Sequence, residues 1–382
     1  MRQNRAVTRP PQPSVLRIAG RPLPVVGRAR MYVCGITPYD TTHLGHAATF
    51  VWADIAARVL RHSGVEVEVC RNVTDVDDVL TAAATRAGSP YDSFAAVQKF
   101  HFDQDMEALR VRPPTHEPRA HNYIRQVAAL AAGLLATGAA YQADGSVYFR
   151  GGEVPAAAGL DRSAALRLVA EYGDDPEHGA KDDPFDVAVW QASSGVEPAW
   201  PSPWGPGRPG WHAECAAMAL TTLGPALDLH SGGADLRFPH HAYEAAMAQA
   251  LTGVQPFARS WMHVGTVLID GEKMAKSTGN LVLVSDVLAS YPAAALRLML
   301  LDRPWAQPWN YSAAALTEAA AKLERLYVSA GRPDRESPAV LAAEAAVSAA
   351  LLDDLDVSRA LEIAEETGGS TARTALGILG LS

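Results

Sequence analysis

The chain has 382 residues, a hydrophobic content of 48% and a mean hydropathy of −0.03. These values predict a globular protein with a large core and two or three domains. Its formal net charge of −9 and pI near 5.7 argue against a dedicated nucleic-acid binder, although a local basic patch stays open. No apolar run is long enough to span a membrane, and residues 1–30 lack the apolar core of a secretory signal. The three widely spaced cysteines favour a reducing, cytoplasmic location over a disulfide framework.

The first elements follow the order strand, turn, helix, strand. After an Arg- and Pro-rich lead and a small hairpin, the apolar residues 31–33 predict a short buried strand. Apolar residues then recur at helical spacing over 47–62, and a β-branched run over 65–70 indicates a second strand. This βαβ order predicts a parallel, doubly wound sheet, in which ligands gather beyond the C-terminal strand ends. Cys34 and Thr74 both fall at such ends.

The rest of the chain divides by composition. The predicted elements are Ala-rich helices over 94–140, a short strand at 147–149, a rigid Pro-rich connector over 198–209, a strand over 227–230, a helix from about His240, a strand or loop over 262–269, and helices from 284 onward. The predicted domains are a lead and hairpin over 1–30, a Rossmann-like catalytic domain over 31–285 with an insertion at about 94–200, and a helical bundle over 286–382.

The turn before the first predicted helix carries two histidines, His43 and His46, on either side of Gly45. A helix that begins at a glycine-bearing turn directs its free N–H groups at the turn, which favours binding of an anion. The imidazoles would add hydrogen-bond donors for a phosphate. The alternative is a glycine turn with two surface histidines.

A mixed set of soft and imidazole ligands predicts a metal site. Cys34, Cys215 and His240 supply two thiols and one imidazole, a set that suits zinc with an open coordination position. Glu244 follows His240 at i+4 on the same helical face and either closes the fourth position or lies just outside it. The alternative is that the cysteines are buried small hydrophobes.

Two further segments have the chemistry of nucleotide binding. Lys273 and Lys276 belong to a small basic loop that could hold the charge on a transferring phosphate, although a solvated charge cluster is the alternative. Gly233 permits close backbone approach, and Asp235 at a strand end could hold a ribose hydroxyl. Each segment is a weak signal in isolation.

The order of these motifs resembles that of a known family. His43-Leu-Gly-His46 matches the HIGH motif, and the loop 273–277 resembles KMSKS with Ala275 in place of the first Ser. Residues 32–40, 210–215 and 238–241 resemble the class I aminoacyl-tRNA synthetases of the cysteinyl type around their zinc. The resemblance implies an α/β fold with a Rossmann (HUP-type) catalytic domain, a parallel sheet, a helical insertion and a short C-terminal helical bundle.

A second resemblance, within that group, is to the mycothiol-pathway ligases that join cysteine to glucosaminyl-inositol. The residues at 37–47 and 200–211 are similar to the corresponding segments of these ligases. Glu171-Tyr-Gly-Asp-Asp-Pro176 resembles their ERGGDP segment with two changes. Only 105 residues follow the KMSKS-like loop, whereas the usual cysteinyl-tRNA synthetase continues into an anticodon-reading part. Two residues depart from this pattern: Glu244 stands where cysteinyl-tRNA synthetases have a fourth zinc ligand, and Ala242 replaces a Glu common to both groups.

The resemblance implies an ATP-dependent, amide-forming ligase that makes cysteinyl-adenylate and transfers cysteine to the amino sugar, with release of AMP and pyrophosphate. The implied cofactors are one Zn²⁺ per chain on Cys34, Cys215 and His240, and Mg²⁺ with ATP. Whether Glu244 is a further zinc ligand stays open. The implied catalytic residues are His43, His46, Lys273 and Lys276. The implied substrate and adenylate contacts are Cys34, Gly35, Ile36, Thr37, Thr49, Asn72, Val73, Thr74, Trp211, Gly233, Ala234, Asp235 and Val267.

The implied partners are small molecules, namely ATP, L-cysteine and an amino-sugar acceptor, with no nucleic acid and no membrane. The expected oligomeric state is a monomer or a weak homodimer. Two alternatives stay open: a cysteinyl-tRNA synthetase or a relative with another amine acceptor, and a catalytically inactive binding protein. Retention of the His43, His46 and Lys273, Lys276 pairs disfavours the inactive protein.

Overall fold

A computed structural model describes residues 15–39, 41–172, 175–193, 198–274, 279–333 and 338–382. The strands are β1 (Arg17–Ile18), β2 (Arg21–Pro22), β3 (Arg28–Ile36), β4 (Glu66–Val73), β5 (Ala140–Ala143), β6 (Ser146–Phe149), β7 (Val187–Ala192), β8 (Gly207–Pro209), β9 (Leu227–Gly233), β10 (Ala258–Val264), β11 (Val267–Ile269), β12 (Glu272–Lys273) and β13 (Trp309–Asn310). The helices are α1 (Leu44–His62), α2 (Asp78–Arg86), α3 (Tyr91–Ala108), α4 (Ile124–Ala136), α5 (Val154–Ala157), α6 (Arg162–Glu171), α7 (Trp211–Leu223), α8 (His240–Thr252), α9 (Val284–Leu288), α10 (Ala293–Leu301), α11 (Ala313–Ala330), α12 (Pro338–Leu352), α13 (Val357–Thr367) and α14 (Gly369–Leu379).

The central sheet has four parallel strands in the order β10-β9-β3-β4. Strand β3 occupies an interior position, with Tyr32 paired to Cys70 of β4 and to His230 of β9. Because both neighbours run in the same direction, the C-terminal ends of β3, β4 and β9 meet at one edge of the sheet. The parallel α/β sheet predicted from the βαβ pattern is therefore confirmed.

Helix α1 begins at Leu44, three residues before the position that the apolar spacing predicted. His43 is its N-cap in extended conformation (φ −99°, ψ 170°), and the His43 Nδ1 accepts a hydrogen bond of 3.0 Å from the Gly45 N–H. An N-cap is a hydrogen bond and leaves no hydrophobic pattern, so the apolar spacing placed the helix start too late in the sequence. Most of the helix is buried, and its Trp52 Nε1 donates to the Leu300 carbonyl oxygen of α10 at 3.1 Å.

The inserted segment contains more strand than the sequence predicted. Strands β5, β6, β7 and β8 form an antiparallel sheet, of which only the strand at 147–149 was expected. Strand β8 lies inside the stretch that was predicted to be a rigid connector, and that prediction is wrong for Gly207–Pro209. A short strand that contains Pro is tolerated at a sheet edge, which is the position of β8.

The C-terminal helices pack on helix α1 through a buried ion pair. The Arg297 side chain of α10 is wholly buried and donates to Asp54 of α1 at 2.6 Å, to the Leu109 carbonyl at 2.7 Å and to the Leu379 carbonyl at 2.6 Å. The helical character expected beyond 284 is confirmed for most of the described chain, and the domain division at 285 stays a prediction. Among the described residues no helix has the length and apolar character needed to cross a membrane.

Candidate active site

A cavity of about 610 Å³ opens at the C-terminal ends of the parallel strands. It brings together most of the site residues predicted from the sequence: Cys34, Gly35, Ile36, Thr37, His43, His46, Thr49, Asn72, Thr74, Trp211, Cys215, Gly233, Ala234, Asp235, His240, Val267 and Lys273. Val73 is buried in the core and does not line the cavity. Lys276 lies outside the described residues. The cavity is also lined by residues that are not among the predicted contacts, namely Tyr39, Asp77, Glu171 and Tyr172.

The floor of the cavity contains the predicted metal-ligand set. Cys34 at the end of β3, Cys215 of α7 and His240 and Glu244 of α8 have ligand atoms that all lie within 4.8 Å of one another. The four residues are almost completely buried, from 0% exposure at Glu244 to 4% at Cys34. Two sulfur ligands, one imidazole and one carboxylate fit a thiophilic divalent ion such as zinc. The donor chemistry therefore fits the metal that the sequence predicted.

Glu244 joins the ligand set to its surroundings through both carboxylate oxygens. Its Oε1 lies 2.6 Å from His240 Nε2 and accepts from the Cys34 thiol at 3.3 Å, while its Oε2 lies 2.7 Å from His230 Nε2. Burial opposes ionisation of Glu244, but the charges of His240 and His230 hold the pKa of this carboxyl well below its usual range. Glu244 is thus an anionic side chain in the centre of the cluster.

Neighbouring aromatic side chains orient His240. The Trp211 ring stacks on the His240 ring with centroids 4.2 Å apart and an interplanar angle of 22°. His212 Nδ1 lies 2.9 Å from His240 Nδ1, which leaves His240 Nε2 directed at the ligand set. Hydrogen bonds of this kind fix the orientation of metal-binding imidazoles in proteins.

Neither His230 nor His241 is among the metal ligands predicted from the sequence. These two residues form a second group of potential ligands with Cys34 and Glu244, again within 4.8 Å. His241 Nε2 is buried with no hydrogen-bond partner among the described residues. The only sequence signal for His230 is its place in a strand just before a glycine pair, which marks a strand end and not a ligand.

At the helix start predicted to bind phosphate, the two histidine rings lie against each other. The His43 and His46 rings stack with centroids 3.9 Å apart. A Cβ on Gly45 would lie 2.8 Å from His43 Cε1, so glycine allows the His43 ring to fold back onto the helix terminus. Desolvation, together with the neighbouring His43, lowers the pKa of His46 to about 3. His46 is therefore a neutral hydrogen-bonding group at physiological pH.

The edge between β3 and β4 is built by a close backbone approach. A Cβ on Gly35 would lie 1.6 Å from the Asn72 carbonyl oxygen, which only glycine permits. The Gly35 N–H donates to Asn72 Oδ1 at 2.8 Å, and the Asn72 amide donates to Thr74 Oγ1 at 3.0 Å. This chain of hydrogen bonds fixes polar groups beside Cys34.

The opposite rim of the cavity contains an ion pair. Lys273 Nζ donates to Asp235 Oδ2 at 2.8 Å and lies 5.7 Å from the centroid of the Tyr172 ring. Partial burial alone would lower the pKa of Lys273, but the Asp235 carboxylate raises it above its ordinary value. The sequence predicted Lys273 and Asp235 as separate motifs, and the contact between them follows only from the fold.

Two solved structures share the architecture of this chain. A Mycobacterium tuberculosis methionyl-tRNA synthetase in complex with methionyl-adenylate superposes with a TM-score of 0.63 at 19% identity, over 93% of this chain and 82% of that chain. An Agrobacterium radiobacter LeuRS in a ternary complex with tRNA and LeuAMS gives 0.64 at 11% identity, over 93% and 83%. At these identities the likeness establishes the fold alone.

Sequence comparison then identifies the family. Residues 24–321 match the family of tRNA synthetases class I (C) catalytic domain, and the chain belongs to it. The chain is 46% identical to the L-cysteine:1D-myo-inositol 2-amino-2-deoxy-alpha-D-glucopyranoside ligase of Frankia alni, over 87% of this chain and 81% of the relative. Identity to the ligase of the same name from Streptomyces griseus is 45%, over 90% and 84%. A Cysteine--tRNA ligase from Alkalilimnicola ehrlichii is also 45% identical, over 88% and 73%.

Proposed function

We propose that this chain is an ATP-dependent, amide-forming ligase of mycothiol biosynthesis. It activates L-cysteine as cysteinyl-adenylate and joins the cysteinyl group to the amine of 1D-myo-inositol 2-amino-2-deoxy-alpha-D-glucopyranoside. The observation that carries the proposal is the single cavity, which combines the Cys34, Cys215 and His240 ligand set with the His43 helix start and the Lys273 rim. The names of the Frankia alni and Streptomyces griseus relatives support the acceptor.

Cys34, Cys215 and His240 would hold one Zn²⁺, with Glu244 as a candidate fourth ligand. Zinc supplies a soft coordination position, for which a thiolate is a far better ligand than a hydroxyl. Selection of cysteine over serine therefore follows from ligand chemistry. The stacked Trp211 ring closes one side of the amino-acid pocket, and Thr37 and Thr74 offer polar contacts.

In the first half-reaction the cysteine carboxylate attacks the α-phosphorus of Mg²⁺-bound ATP. A bond forms from the carboxylate oxygen to phosphorus, the bond from phosphorus to the β-phosphate bridging oxygen breaks, and pyrophosphate leaves. His43, His46, Lys273 and Lys276 would stabilise the charge that develops on the phosphates, as preorganised donors do. Gly233, Ala234 and Asp235 would hold the ribose, and the backbone near Val267 would contact adenine.

In the second half-reaction the acceptor amine attacks the carbonyl carbon of cysteinyl-adenylate. The amine attacks in its neutral form: the carbon–nitrogen bond forms, the bond from the carbonyl carbon to the phosphate oxygen breaks, the nitrogen releases one proton to solvent and AMP leaves. Glu171 lines the same cavity and is exposed, and its carboxylate suits the binding of a cationic amino sugar before the amine loses its proton.

A cysteinyl-tRNA synthetase is the second candidate function, and one observation favours it. Glu244 belongs to the buried ligand set, and the sequence resemblance links a fourth ligand at this position to cysteinyl-tRNA synthetases. The 45% identity to the Alkalilimnicola ehrlichii relative agrees with this alternative. The acidic net charge of −9 favours the small-molecule acceptor.

The deciding experiment measures AMP release with ATP and cysteine, with either the glucosaminyl-inositol acceptor or cysteine-specific tRNA added. Sugar-dependent AMP release with a cysteinyl amide as product is the expected outcome. Charging of tRNA without sugar-dependent release would establish the synthetase instead. If cysteine-dependent ATP–pyrophosphate exchange occurs but neither acceptor increases AMP release, the activation step stands and both acceptors are rejected.

Metal analysis of the same preparation tests the cofactor. We expect one zinc per chain after dialysis, and loss of cysteine-dependent exchange after removal of the metal by a chelator. Glu244→Gln separates the two roles of this residue: a large loss of zinc affinity is expected for a ligand, and retention of zinc would make Glu244 a neighbour of the site. Exchange that is unaffected by complete zinc removal would contradict the metal assignment.

A further inference from the structure

The ammonium of Lys273 lies between two groups from distant parts of the chain. Asp235 follows strand β9 and forms the 2.8 Å ion pair, whereas Tyr172 follows helix α6 of the insertion and presents its ring 5.7 Å from Lys273 Nζ. All three side chains line the cavity. Tyr172 has no place in the reaction described above, so its contact with a predicted catalytic lysine calls for an explanation.

The backbone of Lys273 is held by strand pairing on one side and by a buried residue on the other. Lys273 pairs with Leu268 in the β11–β12 hairpin, and the next residue, Met274, is 5% exposed and packs into the main core. The Lys273 side chain itself is 49% exposed. The half-exposed side chain can therefore move its ammonium by rotation about its own bonds.

The proposed function requires Lys273 to change its partner when the nucleotide binds. In the proposed function the Asp235 carboxylate binds ribose hydroxyls, and the lysine binds phosphate oxygens. An ion pair that is 35–49% exposed is weak, so exchange of the carboxylate for a phosphate costs little. The aromatic ring does not compete for a ribose hydroxyl and can retain the cation during this exchange, because attraction of an ammonium to a ring face persists within about 6 Å of the centroid.

We propose that Tyr172 is a positioning residue for Lys273 in nucleotide activation. Its ring holds the ammonium at the cavity rim while Asp235 turns to the ribose, so that Lys273 reaches the phosphates from a restricted set of rotamers. The proposal rests on the proposed function for its reaction, and it adds a role for the insertion in the activation step. The element that carries Tyr172 thereby contributes to a catalytic constellation otherwise built from the Rossmann-like core.

The test is a double-mutant cycle with Tyr172→Leu, Lys273→Ala and the combined variant, with Tyr172→Phe as the conservative control. Removal of a cation–aromatic contact at a half-exposed site corresponds to about a two- to fivefold effect. We expect Tyr172→Leu to lower kcat of cysteine-dependent ATP–pyrophosphate exchange by this factor with an unchanged KM for cysteine. Tyr172→Phe retains the ring and should restore most of the rate. In the Lys273→Ala background the Leu substitution should have no further effect.

A second readout separates this proposal from the proposed function. Calorimetric binding of a non-hydrolysable Mg·ATP analogue, without cysteine, is measured for the same four variants and for Phe100→Leu, which removes an exposed ring of α3 outside the cavity. Coupling between positions 172 and 273 in this cycle supports the positioning role even if exchange with cysteine fails. Equal effects of Tyr172→Leu with and without Lys273 in both readouts would overturn it, and thermal unfolding identifies a variant that has merely lost its fold.

Discussion

The two ends of the cavity differ in how firmly their charged groups are held. At the floor, Glu244 is wholly buried and has contacts at 2.6 Å and 2.7 Å to two histidines. At the rim, Lys273 and Asp235 form a single ion pair with side chains that are 49% and 35% exposed. The floor is therefore preorganised before any ligand binds, whereas the rim can change partners.

This difference matches the chemistry that we propose for each end. A metal that selects sulfur by coordination needs ligands at fixed distances, and fixed distances require packed, hydrogen-bonded side chains. A nucleotide site must release pyrophosphate and AMP in each turnover, and strong preformed contacts would slow their release. Preorganisation at the floor and exchangeable contacts at the rim are thus both suited to catalysis.

The largest expected effect follows from breaking the floor. Cys215→Ser replaces a soft ligand by a hydroxyl, which is a poor zinc ligand. Since loss of a residue that merely supports a metal ligand costs roughly 10–100-fold in metal affinity, loss of the ligand itself should exceed that range. Zinc content by mass spectrometry and cysteine-dependent exchange are the measurements, and both should fall to background.

Cys70→Ser is the matched control for this substitution. Cys70 is also fully buried, in the same hydrophobic cluster, but it does not belong to either group of potential ligands. Its variant should retain zinc while losing some stability. Equal loss of zinc in both variants would indicate a general packing defect and would contradict the assignment of Cys215.

A smaller effect is expected at the helix start, where one residue has two separable roles. His43 caps helix α1 through its Nδ1 and is the proposed donor to phosphate. Both His43→Ala and His43→Asn should lower kcat of exchange by about 10²–10³, as removal of a preorganised donor does. Only His43→Ala should lower the free energy of unfolding, by about 1 kcal/mol, because Asn is a good N-cap. Full exchange activity in His43→Ala would contradict the mechanism.

Local periodicity predicted the parallel sheet, whereas most of the cavity residues were indicated by the family resemblance. Ligand types and the i, i+4 spacing of His240 and Glu244 identified the floor, and the glycine turn identified the helix start. The extent of helix α1 was predicted too short, since the cap at His43 is a hydrogen bond and not a hydrophobic pattern. Strand β8 was missed because its Gly and Pro content is typical of a connector as well as of an edge strand.

Contacts between distant segments had no such signal. His230 lies in a strand buried on both faces, where alternation of polar and apolar residues does not reveal a side chain that points at Glu244. Tyr172 meets Lys273 only because the end of α6 and the β11–β12 hairpin converge on the cavity, about 100 residues apart in sequence. Such pairings depend on tertiary packing, which periodicity and motif spacing do not encode.

The smallest expected effect tests the exchangeable rim. Asp235→Asn should lower the free energy of unfolding by less than about 1 kcal/mol, and less at 1 M salt than at low ionic strength, because exposed pairs are weak and screened. Since Asp235 raises the pKa of Lys273, this contribution is present below the ordinary lysine pKa and disappears as the pH rises through the folded-state value. Urea unfolding at two salt concentrations is the measurement.

Asp54→Asn, which breaks the buried pair with Arg297, is the reference and should cost about 3–5 kcal/mol at either salt concentration. An equally large, salt-independent loss in Asp235→Asn would show that the rim is as rigid as the floor, and the exchange of partners at Lys273 would then lose its physical basis.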